Sequence, residues 1–171
     1  MKKFFMTLIV TTIAALALNI GETPPPVTLS GENGGAVDGS DWNASMLHGK
    51  VHVLFYVDPD KKADNDAFID ALHAKNYDRS KYASVAIINL KATWLPNFAI
   101  EKKLKAKQAE FPNTLYVKDK TKYLVTAWNL ADDSANVLIF DPTGKLIYSH
   151  VGAMSPKEMQ KAFDLIEKNL N

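Results

Sequence analysis

The chain has 171 residues, 47% of them hydrophobic, with 20 Lys+Arg against 19 Asp+Glu and no cysteine. A net charge of only +1 argues against nucleic acid as a general partner. The missing cysteine excludes disulfides, thiolate nucleophiles, redox dithiols, sulfur ligands for zinc and a lipobox.

Met1-Lys2-Lys3 is a short cationic start, and the run from Phe4 to Leu16 carries no charge. Small residues then alternate at Ala15 and Ala17. That order is the tripartite secretory signal, and cleavage is expected after Ala17. The rival reading is an uncleaved anchor, but the apolar run falls short of the roughly 20 residues that span a bilayer. Processing would remove two lysines and no acid, leaving 18 Lys+Arg against 19 Asp+Glu. A periplasmic protein with no stable membrane anchor is the expectation. The remainder has the size of one ordinary domain.

Residues 18–26, with their proline triplet, read as an extended tether ahead of a domain over 27–171. A short strand is expected at Val27–Leu29 and a turn at Asn33-Gly34-Gly35. Val51–Val57 is apolar almost throughout, which predicts a central strand covered on both faces. Asp58-Pro59-Asp60 ends it, and a helix follows from about Asp64 to Lys75, with Phe68, Ala71 and Leu72 inward. Ser84–Leu90 reads as a second buried strand. A second helix over 98–111 turns Ile100, Leu104 and Phe111 inward and its lysines to water. Leu115–Val117 is a third strand. Tyr123–Trp128 fits either a hairpin partner or a helix start. Asn136–Phe140 and Lys145–Val151 form an antiparallel pair around the turn Asp141-Pro142-Thr143-Gly144. Ser155-Pro156-Lys157-Glu158 is a capping box with proline at the first helical position. Strands joined through helices want parallel pairing with right-handed crossovers. A terminal hairpin and helix complete a three-layer α/β/α sandwich with a mixed central sheet.

This layout, with Gly49-Lys50-Val51-His52-Val53-Leu54-Phe55-Tyr56-Val57 at its centre, resembles the thioredoxin-like fold. In that superfamily a Cys-x-x-Cys pair follows the strand. Counted from Gly49, the two positions fall near Lys61 and Asp64, and the position of the superfamily's cis-proline falls at Ala135. The resemblance therefore implies a redox site without its redox groups. Three further segments resemble the YtfJ family of exported thioredoxin-like proteins: Trp42 to Val51, Ala127 to Ala135, and Gly152 to Glu158. That resemblance implies a fold and a compartment, but no reaction.

The most charged segment is Asp58 to Asp66. Its carboxylates lie at a strand-to-helix turn, where open α/β sheets place their sites. A calcium loop wants glycine at the sixth position, and Ala63 stands there, so a solvated, helix-capping turn competes with a cation site. His48, His52, His73 and His150 have no metalloprotease spacing, although His48 and His52 are evenly separated. No Gly-x-Ser-x-Gly, phosphate loop or dinucleotide fingerprint occurs. Seven lysines lie between 102 and 122. They read as a solvated helix face and turn, or as a patch for an anionic lipid or an acidic partner.

Two functions follow. In the first, the protein is a periplasmic module without thiol redox activity, and it binds a peptide or protein partner. Its groove is lined by Tyr56, Asp58, Asp60, Trp128, Asp132, Asp133 and Ser134. In the second, it is a non-thiol enzyme using a divalent metal held by Asp58, Asp60, Asp64 and Asp132. No catalytic residue, resident metal or cofactor is assigned from the sequence.

Overall fold

The computed structural model describes residues 18–170. The segment read as a secretory signal, and its expected cleavage point, lie outside the described residues.

Eight strands and four α-helices follow in chain order. They are β1 (Thr28–Leu29), β2 (Gly34–Ala36), β3 (Trp42–Asn43), β4 (Val51–Val57), α1 (Asp66–Lys75), β5 (Tyr82–Asn89), α2 (Asn97–Glu110), β6 (Thr114–Asp119), α3 (Tyr123–Trp128), β7 (Ala135–Phe140), β8 (Leu146–Val151) and α4 (Pro156–Asn169). The main sheet has the order β2-β6-β5-β4-β7-β8, and β1 pairs with β3 in a separate ribbon. β4, β5 and β6 are parallel, while β7, β8 and β2 run antiparallel to their neighbours.

β4, apolar at every position but His52, is central, and all seven of its residues are buried. Side chains alternate across a strand, so its residues feed two cores. Leu54 and Tyr56 join Val85, Ile87, Val117, Leu138 and Phe140 beneath α3 and the β1–β3 ribbon. Val51, Val53, Phe55 and Val57 join Phe68 and Leu72 of α1 and Ala162, Phe163 and Ile166 of α4. Helix α2 adds Ile100 and Leu104 to a smaller cluster with Leu90. The expected three layers and mixed sheet are present.

Local departures from the sequence reading have local causes. The helix expected from Asp64 begins as a 3-10 turn over Pro59–Asn65 and becomes α-helical at Asp66. Asp58 starts that turn by accepting the Asp60 backbone N–H at 2.8 Å, and Pro59 follows it. The turn expected at Asn33-Gly34-Gly35 is instead a 3-10 turn over Gly31–Asn33, after which Gly34 opens β2. Gly34 has φ +138°, and a Cβ there would stand 1.8 Å from the Lys118 carbonyl oxygen. Only glycine lets β2 approach β6 so closely. Tyr123–Trp128 is a helix, and Phe111 is half-exposed, stacked on His73 at 5.0 Å.

The segment read as a tether is docked rather than dangling. Gly21 N–H donates to the Leu146 carbonyl at 2.7 Å, and Leu146 N–H donates to the Glu22 carbonyl at 2.9 Å. The Trp128 indole donates to the Pro25 carbonyl at 2.9 Å. The two bonds to Leu146 satisfy backbone groups at the start of an edge strand that would otherwise be open.

Candidate functional site

The parallel strands β4, β5 and β6 end together, and the loop into β7 comes to the same end. Their terminal residues form a polar rim where a thioredoxin-like protein would carry its thiols. Lys61 and Asp64 are exposed on the 3-10 turn, and neither offers a nucleophile comparable to a thiolate. Ala135 is 1% exposed and pairs with Val57 in the ladder. The preceding Ser134 carbonyl accepts the Asp58 N–H at 3.0 Å, which ties the β7 loop to the end of β4.

Asp58 is the buried carboxyl of the rim. Burial holds its pKa above the ordinary aspartate value. The Asp60 N–H opposes this, the Asp60 and Asp133 charges add to it, and Lys61 offsets it in part. Across the rim, Lys122 forms an ion pair with Asp132. Asn89 at the end of β5 donates to the other Asp132 oxygen at 3.0 Å. The Lys122 hydrogen bond holds Asp132 below the usual carboxylate range, and the same bond raises Lys122. Lys122 and Asp133 have positive φ, 58° and 49°. Non-glycine residues seldom adopt that conformation, and it often marks sites that the surrounding structure constrains.

Beneath the rim stands Asp119, which is 0% exposed. It accepts from the Tyr56 hydroxyl at 3.1 Å, from Thr121 N–H at 3.1 Å, from Tyr123 N–H at 2.9 Å and from Leu124 N–H at 3.0 Å. A carboxylate taken out of water needs such partners. Asp119 thereby joins the end of β6 to the first turn of α3 and fixes Lys122 between them. Burial, reinforced by the Asp119 charge, pushes the Tyr56 hydroxyl far above its usual pKa, so it serves as a neutral donor. The sequence reading placed Asp119 in an ordinary turn. An acid five residues before the apolar Leu124-Val125 pair is the one local signal of this role.

Two aromatic walls expected for the groove are not there. Tyr56 and Trp128 are each 1% exposed, in the core beneath α3. The strand is covered on both faces, so no ring on it reaches solvent. Asp58, Asp60, Asp132, Asp133 and Ser134 do gather at the rim's end of the sheet. The four carboxylates proposed for a divalent ion do not converge: Asp132 is held by Lys122 and Asn89, and Asp64 is on the exposed turn. Among the described residues no three His, Asp or Glu side chains are grouped to hold a metal. Asp58, Asp60, Asp64 and Asp133 have no salt-bridge partner among the described residues and outnumber Lys61 and Lys62, which are likewise without one, so the rim keeps excess negative charge.

A second concavity lies at the opposite end of the parallel strands. It encloses about 340 Å³ between Trp42, Met46, His52, Val85, Leu115 and Gln108. His52 bonds the Lys50 carbonyl through Nδ1 at 3.0 Å, and burial holds its pKa below the ordinary histidine value. Trp42 Nε1 is the one buried side-chain polar atom among the described residues without a hydrogen-bond partner. The sequence reading singles out His52 of this lining, as one of an evenly separated histidine pair, and does not predict a cleft.

Comparison with known proteins gives the same fold. A solved thioredoxin-like superfamily protein matches with a TM-score of 0.64 at 17% identity, covering 87% of this chain and 96% of its own. The pneumococcal exposed lipoprotein thioredoxin Etrx1 from Streptococcus pneumoniae strain TIGR4 matches with a TM-score of 0.60 at 16% identity, covering 82% of this chain and 99% of its own. In sequence, the chain is 24% identical over 159 residues to the uncharacterized protein YtfJ of Escherichia coli strain K12, covering 88% of this chain and 86% of that one. The profile described as "Bacterial protein of unknown function (YtfJ_HI0045)" matches residues 28–169. With a thioredoxin-like sheet, no thiols and a match along nearly all of the described chain, the protein belongs to the YtfJ family.

Proposed function

We propose that the protein is exported to the periplasm and acts there as a binding module without thiol redox activity. Its rim at the end of β4, β5 and β6 would receive a basic segment of a peptide or protein. The observation that carries this reading is a chain without cysteine whose exposed Lys61 and Asp64 stand on the turn after β4, above a hydrogen-bonded, acidic rim. Thiol–disulfide exchange needs a thiolate, and the chain has no cysteine. Asp58, Asp60 and Asp133 supply acceptors and negative charge, while the Lys122–Asp132 pair and Asp119 keep the platform rigid. Complementary charge steers and selects partners more than it tightens them. A Lys- or Arg-bearing segment is therefore the matching ligand class. The export half rests on the cationic start, uncharged run and small residues at the N-terminus.

Cell fractionation tests the first half: the chain should be found shortened in the periplasmic fraction. Crosslinking in periplasmic extract tests the second. A captured protein should be lost when Asp60 and Asp133 are both replaced by Lys. Capture unaffected by that double change would remove the rim from the reading.

A further inference from the structure

The largest exposed apolar side chains in the described structure are close together in sequence. Trp94 is 86% exposed and Phe98 is 76% exposed. They stand on the loop after β5 and in the first turn of α2. Between them Leu95 packs onto the Leu90, Ile100 and Leu104 cluster, and its N–H donates to Thr93 Oγ at 3.3 Å. The loop is thus pinned by one apolar residue while its neighbour Trp94 projects outward. Single exposed apolar residues are ordinary. A Trp and a Phe presented beside a fixed anchor are less easily explained by packing.

The charge along this stretch is mostly positive. Residues 91–122 contain eight lysines and three acids in a chain of net +1. The acids are already engaged. Glu101 lies 3.9 Å from Lys118 and 4.0 Å from Lys120, Glu110 pairs with Lys107 at 2.9 Å, and buried Asp119 accepts four hydrogen bonds. Lys91, Lys102, Lys103 and Lys105 are exposed and form no salt bridge among the described residues. Residues four and seven apart share a helix face, which puts Lys102 and Lys105 in line with Phe98.

We propose that the start of α2 and the loop before it form a reversible docking surface for an anionic lipid bilayer. Trp94 and Phe98 enter the headgroup layer, and Lys91, Lys102 and Lys105 contact lipid phosphates. Indole rings favour the membrane–water interface, and basic residues near an anionic leaflet add attraction within a Debye length. A bilayer parts to admit a projecting ring, whereas a folded acidic protein must carry a cavity to receive it. This contact needs no spanning helix, and among the described residues no helix is long and apolar enough to cross a membrane.

The built-in reporter is Trp94. Trp42 and Trp128 are 0% and 1% exposed, and residues 1–17 contain no tryptophan. The full chain would be mixed with vesicles carrying bromine on their acyl chains, made of phosphatidylcholine alone or with phosphatidylglycerol. Emission should fall by roughly a third, the share of one tryptophan in three, on the anionic vesicles, remain near its starting value on the neutral ones, and recover in about 0.5 M salt. Trp94→Phe should remove the quenching, and Lys102→Glu with Lys105→Glu should weaken vesicle affinity at least tenfold. Unquenched emission on anionic vesicles, equal quenching on both compositions, or quenching that survives Trp94→Phe overturns the proposal. So does a response to soluble polyglutamate without one to vesicles, which would point to an acidic protein instead.

Discussion

Helices α2 and α4 each have 14 residues and pack on the same face of the sheet, yet they are held very differently. α4 starts with a complete capping box, Ser155 accepting the Glu158 N–H and Glu158 accepting the Ser155 N–H at 2.6 Å. It buries Ala162, Phe163 and Ile166 in the larger of the two clusters on that face. α2 starts at Pro96 with no side-chain cap and buries only Ile100 and Leu104. One helix is specified by its own sequence and its core. The other is held by two leucine-sized contacts and displays charge and aromatic rings. Stability and surface presentation have been divided between them.

The sharpest way to break that contrast is to remove one core side chain from each helix. Phe163→Ala should cost about 3–4 kcal/mol, because the ring is buried and packs 5.2 Å from Phe68. Leu104→Ala should cost about 2 kcal/mol, from a smaller cluster that collapses more readily. Denaturant midpoints would check both, and a larger loss at Leu104 would reverse the comparison. Ser155→Ala should cost about 1 kcal/mol by removing the α4 cap, a change with no counterpart at Pro96.

Acid provides a subtler probe. The Ser155 hydrogen bonds hold Glu158 below its ordinary pKa. A group depressed in the folded state stabilises it above the unfolded pKa, and that contribution fades as pH falls through the folded value. Melting temperatures followed from pH 6 to pH 3 should therefore fall more steeply for the unaltered chain than for Glu158→Gln. Parallel curves would show that the α4 cap is not charge-assisted. The smallest effect belongs to α2: Phe98→Ser should move the midpoint by no more than about 0.5 kcal/mol, since its ring is exposed. A larger shift would show that Phe98 serves packing after all.

The same contrast explains what was legible in the sequence. α4 could be read nearly residue by residue, because its cap and its apolar repeat are local signals. β4 could be read as central from its nearly unbroken apolar run, and both of its neighbours pair along it. Counting along that strand led to Lys61 and Asp64, which stand exposed on the turn that follows it. What failed was everything set by distant partners. Tyr56 looked like a groove residue until its hydroxyl was found on Asp119, 63 positions away. Trp128 likewise looked available until Pro25 accepted its N–H. Asp119 looked like a turn residue because nothing nearby reveals four donors converging on it. Trp94 was passed over because an apolar residue outside a periodic stripe gives no local sign of which way it points.

The docked N-terminal segment has a consequence for how the chain folds. Gly21 and Glu22 are among the first described residues to be synthesised, yet their backbone partner is Leu146. That strand is made near the end, so the early segment must wait, unpaired, through most of translation. Contacts so distant in sequence slow folding. The closing of this sheet edge therefore waits on two segments about 125 positions apart.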